Sequence, residues 1–257
     1  MGRRWTGTVL QTFAVVGLIV GGLASCRSDA ASARQSESTD RVGAQATGRG
    51  RVAAVPDTAG TRGRRKRVVV LGTSLTAGLG LDPDKAYPAL LQGKADSAGF
   101  VVTIVGAGLS GETSAGARRR AAWVLDQPAD AVVLEVGAND GLRGVDPDST
   151  RANILALIAI VRATQPSAIV LLIQMEAPTN LGRDYTTRFH EAYGQAAREA
   201  GVPLLPFLLQ GVAGDVRLNQ ADGIHPNPSG SIKVADTMWD ALLPTLRALA
   251  TASSSPG

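Results

Sequence analysis

The chain has 257 residues, 44% of them hydrophobic and 19% charged, enough to bury one sizeable core and not two. Its formal charge of +4 is unevenly spread: Arg27 to Arg67 holds ten basic and four acidic residues, whereas Val68 to Gly257 holds fourteen basic and eighteen acidic. A mildly acidic domain behind a basic tail argues against nucleic-acid binding, and one Cys with two His excludes an internal disulfide and a protein-built zinc site.

In chain order, Arg3 and Arg4 precede an apolar run from Val9 to Val20, which gives way to small residues and the sole cysteine, Cys26. This pattern predicts a signal peptide over 1–26, the apolar run being shorter than the ~20 residues of a spanning helix. The segment Leu23-Ala24-Ser25-Cys26 resembles the lipobox of bacterial lipoproteins. That resemblance implies a lipid on Cys26 and a domain held in the cell envelope, on a periplasmic or outer-membrane face. Residues 27–66 are Ser, Ala, Gly, Thr and Arg with almost no large apolar side chain, so they read as a disordered basic tether. Arg64-Arg65-Lys66-Arg67 ends it, either leaning on anionic lipid headgroups or simply solvated.

The region 67–250 alternates short β-branched runs with longer amphipathic ones, and 251–257 read as a disordered tail. Strands are expected at Arg67 to Leu71, Val101 to Val105, Ala131 to Val136, Ala168 to Met175 and Val202 to Pro206. Helices are expected at Ala86 to Ala98, Ser114 to Asp126, Ser149 to Thr164, Asp184 to Ala200 and Ser229 to Ala250. Asp148 or Ser149 can cap the third helix, while Gly99 and Gly201 stand where left-handed helix ends are wanted. The alternation predicts an α/β fold, a three-layer α/β/α sandwich on a five-stranded parallel sheet, with functional loops at the strands' carboxyl ends.

Those ends carry Gly72-Thr73-Ser74-Leu75, then Gly106 to Thr113, then Gly137-Ala138-Asn139-Asp140-Gly141. A serine hydroxyl attacks poorly until a base takes its proton, so Ser74 needs an imidazole. His190 lies mid-helix in Arg188-Phe189-His190-Glu191 and reads as an ordinary surface or packing residue. His225 lies in Asp222-Gly223-Ile224-His225-Pro226-Asn227-Pro228, where prolines forbid helix and a carboxylate stands three residues away. Asp222 can fix its tautomer and stabilise the imidazolium, which makes Ser74, His225 and Asp222 the candidate triad.

Gly-Thr-Ser-Leu, Ser110-Gly111-Glu112-Thr113, Gly137-Ala138-Asn139-Asp140 and Asp222-Gly-Ile-His225, in that order, resemble the four blocks of the SGNH, or GDSL-type, hydrolases. The likeness spans Val68 to Leu246. Ala86-Tyr87-Pro88-Ala89-Leu90-Leu91, Asn139 to Gly144 and Pro203 to Phe207 are similar to the bacterial thioesterase, lysophospholipase and arylesterase branch. The resemblance implies a flavodoxin-like sheet and an oxyanion hole of the Ser74 and Gly111 N–H groups with the Asn139 side-chain amide. It also implies a monomeric, cofactor-free hydrolase of small-molecule or lipid esters, with ester, thioester and lysophospholipid all open. A bare Gly111 backbone would let substrate approach closely. Thr73 departs from the family, which usually has Asp there to brace the nucleophile loop, so altered loop rigidity or a modestly reduced rate is expected.

Three other readings compete. Gly106-Ala107-Gly108-Leu109-Ser110-Gly111 fits a dinucleotide-binding fingerprint with Glu135 ending the next strand, but it sits on the second strand of an exported chain. Asn139-Asp140-Gly141 is also a turn sequence with no chemistry of its own. A catalytically weak or inactive binding lipoprotein on the same fold is the third, and Thr73 is what gives it weight. The Gly-x-Ser-x-Gly elbow of the α/β-hydrolases is absent, because Thr76 stands where its last Gly belongs.

Overall fold

The computed structural model describes residues 64–252; the signal-peptide segment, Cys26, most of the tether and the last five residues lie outside them. Five parallel strands, β1 (Lys66–Gly72), β2 (Val102–Gly108), β3 (Ala131–Leu134), β4 (Ile169–Ile173) and β5 (Leu204–Leu205), form one sheet in the order β2-β1-β3-β4-β5. The helices are α1 (Ser74–Ala77), α2 (Tyr87–Ser97), α3 (Ser114–Val124), α4 (Ala138–Leu142), α5 (Pro147–Thr164), α6 (Arg183–Ala200) and α7 (Pro228–Ala252). Strand order reverses at β1, so the crevice of this doubly wound sheet opens at the carboxyl ends of β1 and β3.

Val68 to Leu71 and Ala131 to Leu134 are fully buried, as expected of central parallel strands covered on both faces. Helices α2 and α7 pack together, while α5 packs between α3 and α6. Pro203 and Pro206 confine β5 to two residues, because neither can donate to the ladder. The Pro203 carbonyl still accepts from Leu172 N–H at 3.0 Å.

Local differences from the expected elements have identifiable causes. Helix α5 starts two residues early, with Pro147 in its first turn and the Asp146 carboxylate, not Asp148 or Ser149, capping it by accepting from Ser149 N–H at 3.1 Å. The basic run does not hang free. Arg64 binds Asp130 at 2.8 Å, Lys66 lies 3.3 Å from the same carboxylate, and Arg65 is 3.1 Å from Asp96. Burial opposes ionisation of Asp130, but the Arg67 N–H and the Lys66 and Arg64 cations hold its carboxyl below the usual range. No helix among the described residues is long and apolar enough to cross a membrane.

Candidate active site

The loop that carries Ser74, the candidate nucleophile, turns directly out of β1 into the single turn of α1. Thr73 caps that turn, its hydroxyl accepting from Leu75 N–H at 3.4 Å. Ser74, the first helical residue, is 7% exposed. Its hydroxyl oxygen lies 2.9 Å from His225 Nε2.

His225 reaches it from the loop between β5 and α7, which is tied down at several points. Asn219 and Pro226 form an antiparallel bridge, Gln220 N–H donates to the His225 carbonyl at 2.7 Å, and the Gln220 amide donates to the Leu79 carbonyl at 2.7 Å. Asn227 starts α7 by accepting from Gly230 N–H at 3.0 Å, with Pro228 as the first helical residue. Asp222 Oδ2 is 2.6 Å from His225 Nδ1, while its Oδ1 accepts from the His225 and Ile224 N–H groups at 3.0 and 2.9 Å. The His225 N–H, then its imidazole, then the Ile224 N–H hold the Asp222 carboxyl down at about 2. With Nδ1–H donating to Asp222, Nε2 is left to accept from the serine.

The other two sequence candidates stand beside this line. Gly111 adopts φ +77°, and a Cβ there would meet nothing nearer than Arg143 Nη2 at 3.8 Å. Glycine is therefore required by the backbone conformation, not by crowding. Among the described residues, neither Ser74 N–H nor Gly111 N–H is given to a protein acceptor. Asn139 sits in the short helix α4 instead of an irregular turn, and its Nδ2 donates to the Glu112 carbonyl at 3.0 Å. One amide hydrogen fixes the side chain, and the second is free to serve a ligand. The neighbouring Asp140 is structural, accepting from Ser114 N–H at 2.8 Å.

His190 is elsewhere, on α6, with its Nδ1 2.7 Å from Glu176 and its side chain 61% exposed.

Two supporting residues escaped the sequence reading of the site. Arg120 on α3 holds both carboxylate oxygens of Glu112 at 2.8 Å and donates to the carbonyls of Gly72 and Ala107 at 3.0 and 2.9 Å. It thereby clamps the ends of β1 and β2 to the loop that carries Gly111. Glu135, fully buried after β3, accepts from Thr73 N–H at 2.7 Å, the Thr73 hydroxyl at 2.9 Å and the Thr76 hydroxyl at 2.9 Å. Thr73 thus braces the Ser74 loop through a carboxylate just beyond the neighbouring strand. Engaged in this way, Glu135 cannot hold a ribose as the dinucleotide reading required. Gly108 is needed because a Cβ there would lie 2.2 Å from Ala77 N and 2.6 Å from the Thr73 carbonyl.

Burial pushes the Glu135 carboxyl up to about 7, against the hydrogen bonds from Thr73 and Thr76. The folded value lies above the ordinary 4.5, so the native state keeps this proton longer than the unfolded chain. The stability it contributes is full below pH 4.5 and is lost as pH rises to about 7. Replacing Glu135 with Gln should remove this dependence. Between pH 4.5 and 7.5 the wild type should lose on the order of 3 kcal/mol relative to the variant in paired denaturant melts. Parallel curves would contradict it.

A groove of about 480 Å³ opens beside Ser74 and Asn139, walled by Leu142, Met175, Pro178, Phe207 and Ile224. The stretch from Met175 to Asn180 after β4 supplies one side of it. The room is largely apolar and ends at a hydroxyl within hydrogen-bond reach of an imidazole and at N–H donors, an arrangement suited to acyl transfer.

Comparison with known proteins agrees with that chemistry. Residues 70–231 match the model of the GDSL-like lipase/acylhydrolase family. "Esterase TesA" of Pseudomonas aeruginosa is 38% identical over 180 residues, covering 70% of this chain and 89% of that protein. "Thioesterase 1/protease 1/lysophospholipase L1" of Escherichia coli K12 is 38% identical over 178 residues, covering 69% and 83%. The crystal structure of the psychrotrophic esterase EstA from Pseudoalteromonas sp., inhibited by monoethylphosphonate, superposes with a TM-score of 0.67 at 32% identity, covering 71% of this chain and 99% of that one. With the serine, the imidazole and the sheet order in place, these matches show that the chain belongs to the GDSL-like lipase/acylhydrolase family, the SGNH hydrolases.

Proposed function

We propose that this protein is a serine esterase that cleaves carboxylic esters through an acyl-enzyme on Ser74. The observation that carries the reading is the continuous line from Asp222 through His225 to the Ser74 hydroxyl, with 2.6 and 2.9 Å links, at the mouth of an apolar groove. His225 Nε2 takes the proton as Ser74 Oγ attacks the carbonyl carbon. Asp222 holds the imidazolium that results. Charge developing on the carbonyl oxygen falls to the Ser74 and Gly111 N–H groups and the free hydrogen of Asn139. Collapse expels the alcohol or thiol with the proton from His225, and water then repeats the sequence to free the acid.

The names of the relatives support esters, thioesters and lysophospholipids as the substrate class, and the groove is apolar enough for an acyl chain. The weak-binder alternative rested on Thr73, and its hydrogen bonds to Glu135 supply the bracing that reading held to be missing. The same proposal keeps the domain 67–250 outside the cytoplasm behind a tether of 27–66, held by a lipid on Cys26 after removal of 1–26, with 251–257 a loose tail. The lipobox-like segment and the basic, core-poor composition that follows support it. Hydrolysis of p-nitrophenyl acetate and butyrate by wild type and Ser74→Ala tests the enzyme directly: turnover should vanish with the hydroxyl, and equal rates would sink the esterase reading.

A further inference from the structure

The loop between β2 and α3 presents Gly111 with no packing to hold it. Leu109 is 51% exposed, and Ser110 and Gly111 are exposed as well. A Cβ built on Gly111 would find Arg143 Nη2 at 3.8 Å and, outside the adjoining residues, no other atom within 4 Å. Hydrogen bonds therefore set where this loop stands. Leu109 N–H donates to the Gly72 carbonyl at 2.9 Å, and Glu112 N–H closes the turn on the Leu109 carbonyl at 3.2 Å. At Gly111 itself, the carbonyl accepts from Arg143 Nη2 at 3.0 Å, and among the described residues it has no second partner.

Arg143 reaches across from a fixed base. It caps the carboxyl end of α4, its own N–H donating to the Asn139 carbonyl at 3.2 Å. Asp140 anchors that helix by accepting from Ser114 N–H at 2.8 Å, and Gly141 lies so close to Phe189 that a Cβ there would meet the ring at 3.1 Å. Among the described residues, no carboxylate lies within ion-pair reach of the Arg143 guanidinium to draw it away. Helix α4 and its cap thus grip two successive carbonyls of the loop, Gly111 through Arg143 and Glu112 through Asn139, each at 3.0 Å.

We infer that Arg143 is a positioning residue for ester cleavage, holding the Gly111 N–H and the Asn139 amide in register on one carbonyl oxygen. The inference rests on the esterase reading above and adds to it a side chain that acts through the loop. A guanidinium donates more strongly than a neutral group, and its planar fork loses little freedom in doing so. Without it Gly111, which has wide backbone freedom, aims its N–H correctly only part of the time. Charge builds on the substrate oxygen after binding, so the loss falls on kcat and spares KM.

Arg143→Met keeps the length of the stem and removes the donors. On p-nitrophenyl butyrate its kcat should fall about tenfold with KM within about twofold of wild type, a smaller loss than removing an oxyanion donor itself. Arg143→Lys, whose ammonium can still donate to the Gly111 carbonyl, should recover most of that rate. An unchanged kcat in Arg143→Met, a rise in KM with kcat held, or an Arg143→Lys as slow as Arg143→Met overturns the proposal. Hydrogen exchange read by mass spectrometry needs no turnover. Deuterium uptake across residues 109–113 should quicken about tenfold in Arg143→Met and return toward wild type in Arg143→Lys, with β3 and α5 unchanged. Equal uptake in the loop, or faster uptake throughout the domain, overturns it. A wild type without turnover sinks the esterase reading, and the exchange arm still decides whether Arg143 holds Gly111.

Discussion

Replacing His225 with Ala should abolish ester turnover, lowering kcat on the order of 10⁶-fold, while His190→Ala stays within about twofold of wild type. The two imidazoles are chemically alike and both sit beside a carboxylate, 2.6 Å from Asp222 and 2.7 Å from Glu176. What separates them is the second nitrogen. His225 Nε2 is 2.9 Å from the Ser74 hydroxyl and its side chain is 15% exposed, whereas His190 is 61% exposed on the flank of α6. Triad members act as a unit, so Ser74→Ala/His225→Ala should be little slower than either single variant. Steady-state rates on p-nitrophenyl butyrate check all four proteins, and a strong loss in His190→Ala with an active His225→Ala would reverse the assignment.

Asn139→Ala should lower kcat by about 10²–10³ with little change in KM, because the second amide hydrogen is needed only as charge builds on the carbonyl oxygen. The variant also removes the 3.0 Å bond to the Glu112 carbonyl. Glu112 remains clamped by Arg120, so the fold should persist. A circular-dichroism melt close to wild type alongside the fallen kcat would separate lost transition-state stabilisation from lost structure. An unchanged kcat would remove Asn139 from the oxyanion hole.

Much of this site is readable in the linear chain because its parts are short and local. Asp222 and His225 are three residues apart on a proline-bounded loop, and Ser74, Gly111 and Asn139 each follow a β-branched run. Their convergence then follows from a parallel sheet, in which β1, β2 and β3 end side by side. What could not be read is carried by contacts between distant residues. Thr73 looked like a weakened nucleophile loop because its partner Glu135 is 62 positions away, and only the pairing of β1 with β3 brings them together. Arg120 gave no signal either, since Arg118-Arg119-Arg120 reads as a solvated helix face until one guanidinium is seen to bind Glu112 and two strand-end carbonyls. The basic run before β1 misled for the same reason, its acidic partners Asp96 and Asp130 lying in other segments. Helix α4 is too short to show a helical period.

The claim that Ser74 carries the acyl group is tested most directly by trapping. A p-nitrophenyl phosphonate ester added to the protein should release one equivalent of p-nitrophenol and leave one adduct, located by peptide mass spectrometry on Ser74. The adduct should be absent from Ser74→Ala and form far more slowly in His225→Ala. An adduct on another residue, or undiminished labelling of Ser74→Ala, would contradict the account.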